Sequence, residues 1–229
     1  MKIADHIDDI KNLPIENQAF RSRRATWENK LINVEVPKLV TDAFNSLFPD
    51  NREEISISRG DLREYAKNLN DDPGRAKLII ATIMWGYPRG MRDDHFPNIV
   101  REFQLILDST RNNVIRDWVS HWERIKKING MGLSTYSKIL CFSSIHVMGD
   151  SELKSLMLDQ IIIRVIASRK LDELEQLNEP RPLAYNSAPL RYVNYLSCLD
   201  SLSKDYKVPA ENIELFLFQY GKNLKPIAG

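Results

Sequence analysis

Two side chains of this sequence combine the types and surroundings that covalent chemistry needs, Lys138 and, 21 positions later (159 − 138), Asp159. Lys138 stands in Tyr136-Ser137-Lys138-Ile139-Leu140-Cys141-Phe142, an apolar helical run. An amine must shed its proton before it attacks carbon, and burial favours that neutral form. Asp159 stands in Leu156-Met157-Leu158-Asp159-Gln160-Ile161-Ile162-Ile163. An aspartate at the threshold of a buried helix is its N-cap, a carboxylate held in an apolar wall, or both. Just before the lysine, Gly130 and Gly132 bracket Met131. That spacing permits φ > 0 and close approach of the backbone to a ligand. The helix that follows has Leu133 or Ser134 near its start, and its free N–H groups attract an anion such as a phosphodiester. Lysine, aspartate and phosphate clamp together are the parts required for amine chemistry at a sugar C1′.

The elements that must position these residues are helical. Ile125 to Cys141 reads as the end of one helix, a two-glycine hairpin and the start of another, within a region of about 120–145. Two glycines alone fit a plain αα-corner as well as a helix-hairpin-helix DNA clamp. From Arg111 to Lys138 there are six basic residues (Arg111, Arg116, Arg124, Lys126, Lys127, Lys138) and two acidic ones (Asp117, Glu123), a local +4 in a chain whose total is +1. Charge focused beside the hairpin favours a polyanionic partner, with Lys126 and Lys127 as the leading phosphate contacts. Trp118 and Trp122, four apart, read as core rather than as a ligand site.

Upstream, Pro37 starts a helix over Lys38 to Phe48, and Ser58 with Asp61 predicts a capping box for Arg59 to Leu69. Asp72-Pro73-Gly74 opens an apolar helix from Arg75 to Met84. Trp85-Gly86-Tyr87-Pro88-Arg89-Gly90-Met91-Arg92 then reads as an irregular loop. Trp85 anchors it in the bland reading. In the functional one it faces DNA: Arg89 and Arg92 meet phosphates, and Tyr87 lines a base pocket or fills the gap left in the duplex. His95 to Leu107 and Thr110 to Ile125 read as two further helices. His146 reads as a structural histidine, with a proton shuttle as the functional alternative. The last helix, opened by Pro209, carries Phe216 and Phe218, which are core residues or an aromatic wall for a base; Pro226 to Gly229 reads as a loose tail.

Bulk properties bound the rest. A chain of 229 residues with 43% hydrophobic and 28% charged side chains can bury a substantial core. The expectation is one compact all-α domain over 1–229, cytoplasmic and monomeric, with no membrane-spanning run and no secretory start. Cys141 and Cys198 read as buried thiols, too few for a four-cysteine cluster, and four scattered histidines offer no transition-metal spacing. No metal and no organic cofactor is expected.

Gly130, Gly132, Ser134, Tyr136, Lys138 and Phe142, followed by Asp159, form a pattern that resembles the helix-hairpin-helix superfamily of DNA glycosylases. The closer likeness is to bacterial proteins of the 8-oxoguanine DNA glycosylase fold. The resemblance implies an all-α fold of two helical lobes around a central cleft. It also implies an enzyme that flips a nucleotide from double-stranded DNA and excises a modified base. Lys138 then matches the attacking amine and Asp159 the carboxylate that assists glycosidic cleavage. Gly130, Gly132, Ser134, Lys126, Lys127, Arg89 and Arg92 would hold the DNA, while Trp85, Tyr87, Phe142, Phe216 and Phe218 would surround the base. The hairpin carbonyls would hold a monovalent cation. A large Phe142, where oxidised-guanine enzymes often have a smaller side chain, leaves two substrates open: an oxidised purine, in repair, or a phage-type modified cytosine, in defence. In such enzymes a lyase step follows when lysine attacks and does not when water attacks, and both outcomes stay open. The alternatives are a non-catalytic helix-hairpin-helix module that guides a partner protein, and an all-helical scaffold.

Overall fold

The computed structural model describes residues 1–111, 114–144 and 153–223 of the chain. His146 and the Pro226 to Gly229 tail lie outside the described residues. The fold is helical almost throughout, with one two-stranded sheet, and it divides into two compact units. One comprises Met1–Ile15 with Leu153–Gly229, the other Glu16–Glu152.

Helix α1 (Ile7–Lys11) follows a 3-10 turn over Ile3–His6 and belongs to the first unit, with Ile3 and Ile10 fully buried. The second unit then begins. Strand β1 (Ala19–Arg23) leads to α2 (Arg24–Glu28) and α3 (Lys38–Leu47); strand β2 (Glu54–Ser58) leads to α4 (Arg59–Ala66). The strands pair antiparallel, Ala19 opposite Ser58 and Arg23 opposite Glu54. The alternation in Glu54-Ile55-Ser56-Ile57-Ser58 puts Ile57 in the core. Ser58 caps α4 as the sequence predicts, accepting from the Asp61 N–H while Asp61 accepts from the Ser58 N–H.

Helix α5 (Asp72–Gly86) is the spine of this unit, buried at nearly every position from Ala76 to Trp85 and packed by α3, α4 and α9 (Leu133–Ser143). Its N-cap is Asp71, whose Oδ1 accepts from the Gly74 N–H at 2.8 Å. The helix runs two residues further than the sequence suggests, taking in Trp85 and Gly86. Its stop signal is Pro88, which keeps the preceding Tyr87 out of the helical region (φ −136°, ψ 62°). Between α5 and α9 the single helix expected over His95 to Leu107 is two, α6 (His95–Arg101) and α7 (Phe103–Ser109), parted at Glu102 (φ −99°, ψ 20°). A 3-10 turn over Val114–Asp117 precedes α8 (Trp118–Ile125). Trp118 and Trp122 stack at 5.8 Å, and Trp118 continues the stack onto Tyr136 at 6.0 Å.

The first unit resumes with an extended run, then α10 (Gln160–Ala167), α11 (Tyr192–Tyr206) and α12 (Ala210–Gln219). Helix α12 is its hub, packed by α1, α10 and α11. The charged stretch after Arg169 folds as a 3-10 segment over Asp172–Asn178 with Leu174 and Leu177 buried. Among the described residues no helix is long and apolar enough to cross a membrane.

Candidate functional site

The chain reverses between α8 and α9 on two buried pins, Ile128 and Met131, whose N–H groups donate to Ile125 and Ile128 carbonyls at 3.0 and 2.9 Å. Of the two glycines only Gly130 uses the left-handed region (φ 95°). Its missing side chain also matters, since a Cβ there would lie 2.6 Å from His95 Cβ and 2.9 Å from the His95 carbonyl oxygen. Gly132 is extended (φ −72°, ψ 170°) and occupies the N-cap of α9. With no side chain, it gives the first N–H groups of α9 no side-chain cap. Lys126 and Lys127 are exposed next to them; Lys126 is paired with Glu123 at 2.6 Å.

The loop after α5 is tied to this hairpin. Thr135 Oγ1 donates to the Gly130 carbonyl at 3.2 Å, so its oxygen accepts from the Tyr87 hydroxyl at 2.7 Å. Tyr87 is half-buried, and Arg89 and Arg92 are exposed, with no ion pair among the described residues. Trp85 and Phe142 meet edge to face at 5.8 Å inside the unit. Trp85 is fixed further by its Nε1 donating to the Gln18 carbonyl at 3.0 Å, by Phe20 at 5.6 Å, and by the buried Arg59 guanidinium over its ring.

Lys138 lies on the second turn of α9 and is only 9% exposed. Its stem crosses Gly86, where a Cβ would stand 3.0 Å from Cδ and 3.5 Å from Cε. The amine donates to Ser134 twice, to Oγ at 2.7 Å and to the carbonyl at 3.1 Å. Gly86 and Thr135 are thus parts of the site that sequence reasoning passes over. A glycine at a helix end reads as a stop signal, and nothing in the chain marks which side chain lies across it.

A cavity of about 120 Å³ lies between α7 and α8, lined by Leu105, Asp108, Ser109, His121, Arg124 and Ile125. Burial, seconded by the Arg124 guanidinium, holds the His121 imidazole below its usual pKa, with Asp117 pulling the other way. Behind it, burial pushes the Tyr136 phenol up to about 12; Ser109 and Arg124 oppose that rise.

In the other unit, Asp159 caps α10. Both cap bonds, from Ile161 N–H at 2.8 Å and Ile162 N–H at 3.1 Å, run to Oδ1, so Oδ2 has no part in the cap. Ser155 to Leu158, just before it, are buried, and side chains satisfy three of their backbone groups. Tyr192 donates to the Leu156 carbonyl at 2.6 Å, Tyr195 to the Met157 carbonyl at 2.9 Å, and Glu214 accepts from the Met157 N–H at 3.2 Å. These three residues fix the approach to Asp159. The tyrosines show in the sequence only as part of an amphipathic stripe. On α12, Phe216 is buried between His6 (5.2 Å) and Tyr220 (5.8 Å), while Phe218 is half-buried. Two positions apart on a helix they point to different faces, so one pocket cannot take both. Among the described residues no three His, Cys, Asp or Glu side chains gather as a metal site.

A family model described as "Putative 8-oxoguanine DNA glycosylase OGG-like protein" matches residues 13–218. No curated protein and no solved structure matches the chain.

Proposed function

The chain belongs to the 8-oxoguanine DNA glycosylase OGG-like family, and from that premise we propose that it is a DNA N-glycosylase that flips and excises a modified base. The observation that carries this reading is Lys138, an amine on a buried stem in the helix that follows the glycine hairpin. A surface lysine would serve a phosphate contact; a lysine enclosed in this way is suited to nucleophilic work.

In the proposed reaction the N–H groups at the start of α9 hold a backbone phosphate, and Lys126, Lys127, Arg89 and Arg92 steady its neighbours. Flipping costs a few kcal/mol of unpairing and unstacking. The Lys138 lone pair attacks C1′ and the C1′–N bond breaks, its electron pair leaving with the base, which takes up a proton. The amine loses a proton, the sugar ring opens, and the product is an imine that permits strand cleavage. The Asp159 carboxylate stabilises the positive charge that grows on the sugar as the bond breaks. The substrate is an oxidised purine or a phage-type modified cytosine; the bulk of Phe142 bears on that choice.

The test is incubation with duplexes carrying a panel of oxidised purines and modified cytosines, with borohydride present. Reduction of the imine is expected to give a covalent protein–DNA adduct that is absent from Lys138→Ala. Base release without an adduct assigns the attack to water. Binding with neither outcome overturns the enzymatic reading in favour of a helix-hairpin-helix DNA-binding module that guides a partner protein.

A further inference from the structure

The cavity between α7 and α8 takes no part in the proposed reaction, yet its wall is equipped to hold a ligand. Its volume of about 120 Å³ is that of about four liquid waters, and an engineered cavity of about 150 Å³ holds one benzene. A single six-membered ring is therefore the size it admits, with Leu105 from α7 and Ile125 from α8 as apolar walls.

The polar part of the wall is a cation, an anion, a neutral ring and a hydroxyl. Among the described residues Arg124 makes no ion pair and one side-chain hydrogen bond, from Nη2 to His121 Nδ1 at 3.3 Å. A guanidinium can only donate, so Nδ1 accepts. Burial, with the Arg124 charge, holds that imidazole below its usual pKa, and His121 adds no second charge at neutral pH. Asp108 uses Oδ1 for Gln104 Nε2 at 3.0 Å and for the more distant Arg111 Nε at 3.7 Å; Oδ2 takes part in neither. Ser109 gives its proton to the Ile106 carbonyl at 2.6 Å. Behind Ser109 and Arg124, the two lining groups that act on it, the fully buried Tyr136 hydroxyl has no hydrogen-bond partner. Buried polar groups left unpaired are rare in native proteins and ask for a bound group.

A ligand that satisfies this wall presents two adjacent acceptors to the guanidinium fork and, next to them, a donor to the Asp108 carboxylate. It need bring no charge, since the two charges of the wall balance. Cytosine carries that order along one edge: O2 and N3 accept, the N4 amino group donates, and a carboxylate is a matched partner for that amino group. We propose that the cavity between α7 and α8 binds a free pyrimidine base of the cytosine type, its O2 and N3 on Arg124 and its amino group on Asp108. The site goes beyond the glycosylase reading and does not depend on it. It does bear on the hairpin: Ile125 lines the cavity, and its carbonyl accepts the Ile128 N–H at 3.0 Å, so a base seated there braces the start of the reversal.

The experiment is saturation-transfer NMR on the DNA-free full chain, titrated with free cytosine and then with uracil. Uracil turns N3 into a donor and places an acceptor, O4, against the carboxylate, and it is expected to bind about tenfold more weakly. Arg124→Ala and Asp108→Asn are each expected to weaken cytosine about tenfold, the scale of one lost hydrogen bond to a charged group. Asp108→Asn, whose amide can donate to O4, is also expected to remove the preference over uracil. Both side chains lie at the surface, and unchanged melting curves check that the variants fold. No saturation transfer to cytosine, or equal affinity for uracil in the unsubstituted protein, overturns the site. Cytosine binding that both variants leave unchanged overturns it too; if that binding is lost in Lys138→Ala, the base lies at the lysine instead. Borohydride trapping on modified duplexes tests the glycosylase reading apart from this, and neither result decides the other.

Discussion

Asp159 caps α10 through one carboxylate oxygen, the proposed reaction asks a second duty of its carboxylate, and substitution can divide the two. Asparagine caps helices about as well as aspartate, and its side-chain oxygen can replace Oδ1 toward the Ile161 and Ile162 N–H groups. Asp159→Asn is therefore expected to keep the melting temperature close to that of the parent while reducing base excision by about 10²–10³-fold, the scale of one lost electrostatic contact to a transition state. Asp159→Ala should lose activity and also about 1 kcal/mol of stability. Melting curves beside excision rates check both, and an active Asp159→Asn would restrict this residue to its cap. The cap itself is legible in the sequence, because an aspartate before an apolar helical run is a local signal. The partner of Lys138 is not: Ser134 is near in sequence, but the stem that reaches it runs close over Gly86 on another helix.

At the scale of the element, the hairpin depends on Gly130 far more than on Gly132. A left-handed backbone costs a residue with a side chain about 1–2 kcal/mol, and a Cβ would collide with the His95 backbone as well. Gly130→Ala is expected to exceed that cost in a denaturation experiment and to weaken DNA binding, while Gly132→Ala keeps an accessible φ of −72°. If the two lose equal stability, the hairpin is not held as described. Helices with strong local signals, α3, α4 and α9, stand close to where the sequence sets them. The elements it hides are β1 and α2, whose short polar stretches gain their place from distant partners: β1 from β2, and Trp27 from Phe96 at 4.7 Å and from Ser22 through Nε1. Helix α5 runs on through Trp85 to its glycine because Trp85 is buried and Tyr87 N–H still bonds to Ile83, so tertiary packing extends the helix to Gly86.

For the molecule as a whole the charge balance, 32 basic against 31 acidic residues, means that the proposed affinity for DNA rests on local clusters of positive charge, at the hairpin and in the loop that carries Arg89 and Arg92, and not on net charge. Each neutralised phosphate contributes about 0.9 to the slope of log affinity against log salt. Lys127→Ala is expected to lower that slope by about one such unit. Lys126→Ala should lower it by less, because Glu123 already holds that ammonium; titrations of duplex binding at several salt concentrations measure both. Equal slopes in the parent and Lys127→Ala would place the phosphates elsewhere on the surface.

The two-unit division has a further consequence, for the order in which the chain takes shape. The unit over Glu16–Glu152 is one continuous stretch and can fold as soon as it leaves the ribosome. The unit built from both sides of it cannot. Ile10 is held through its carbonyl by Asn212, which is made 202 residues later, and the Met1 ammonium by Asp172. Until those partners emerge, the opening helix has no hydrophobic face to close against. Synthesis thus completes the hairpin unit before the unit that carries Asp159 can close.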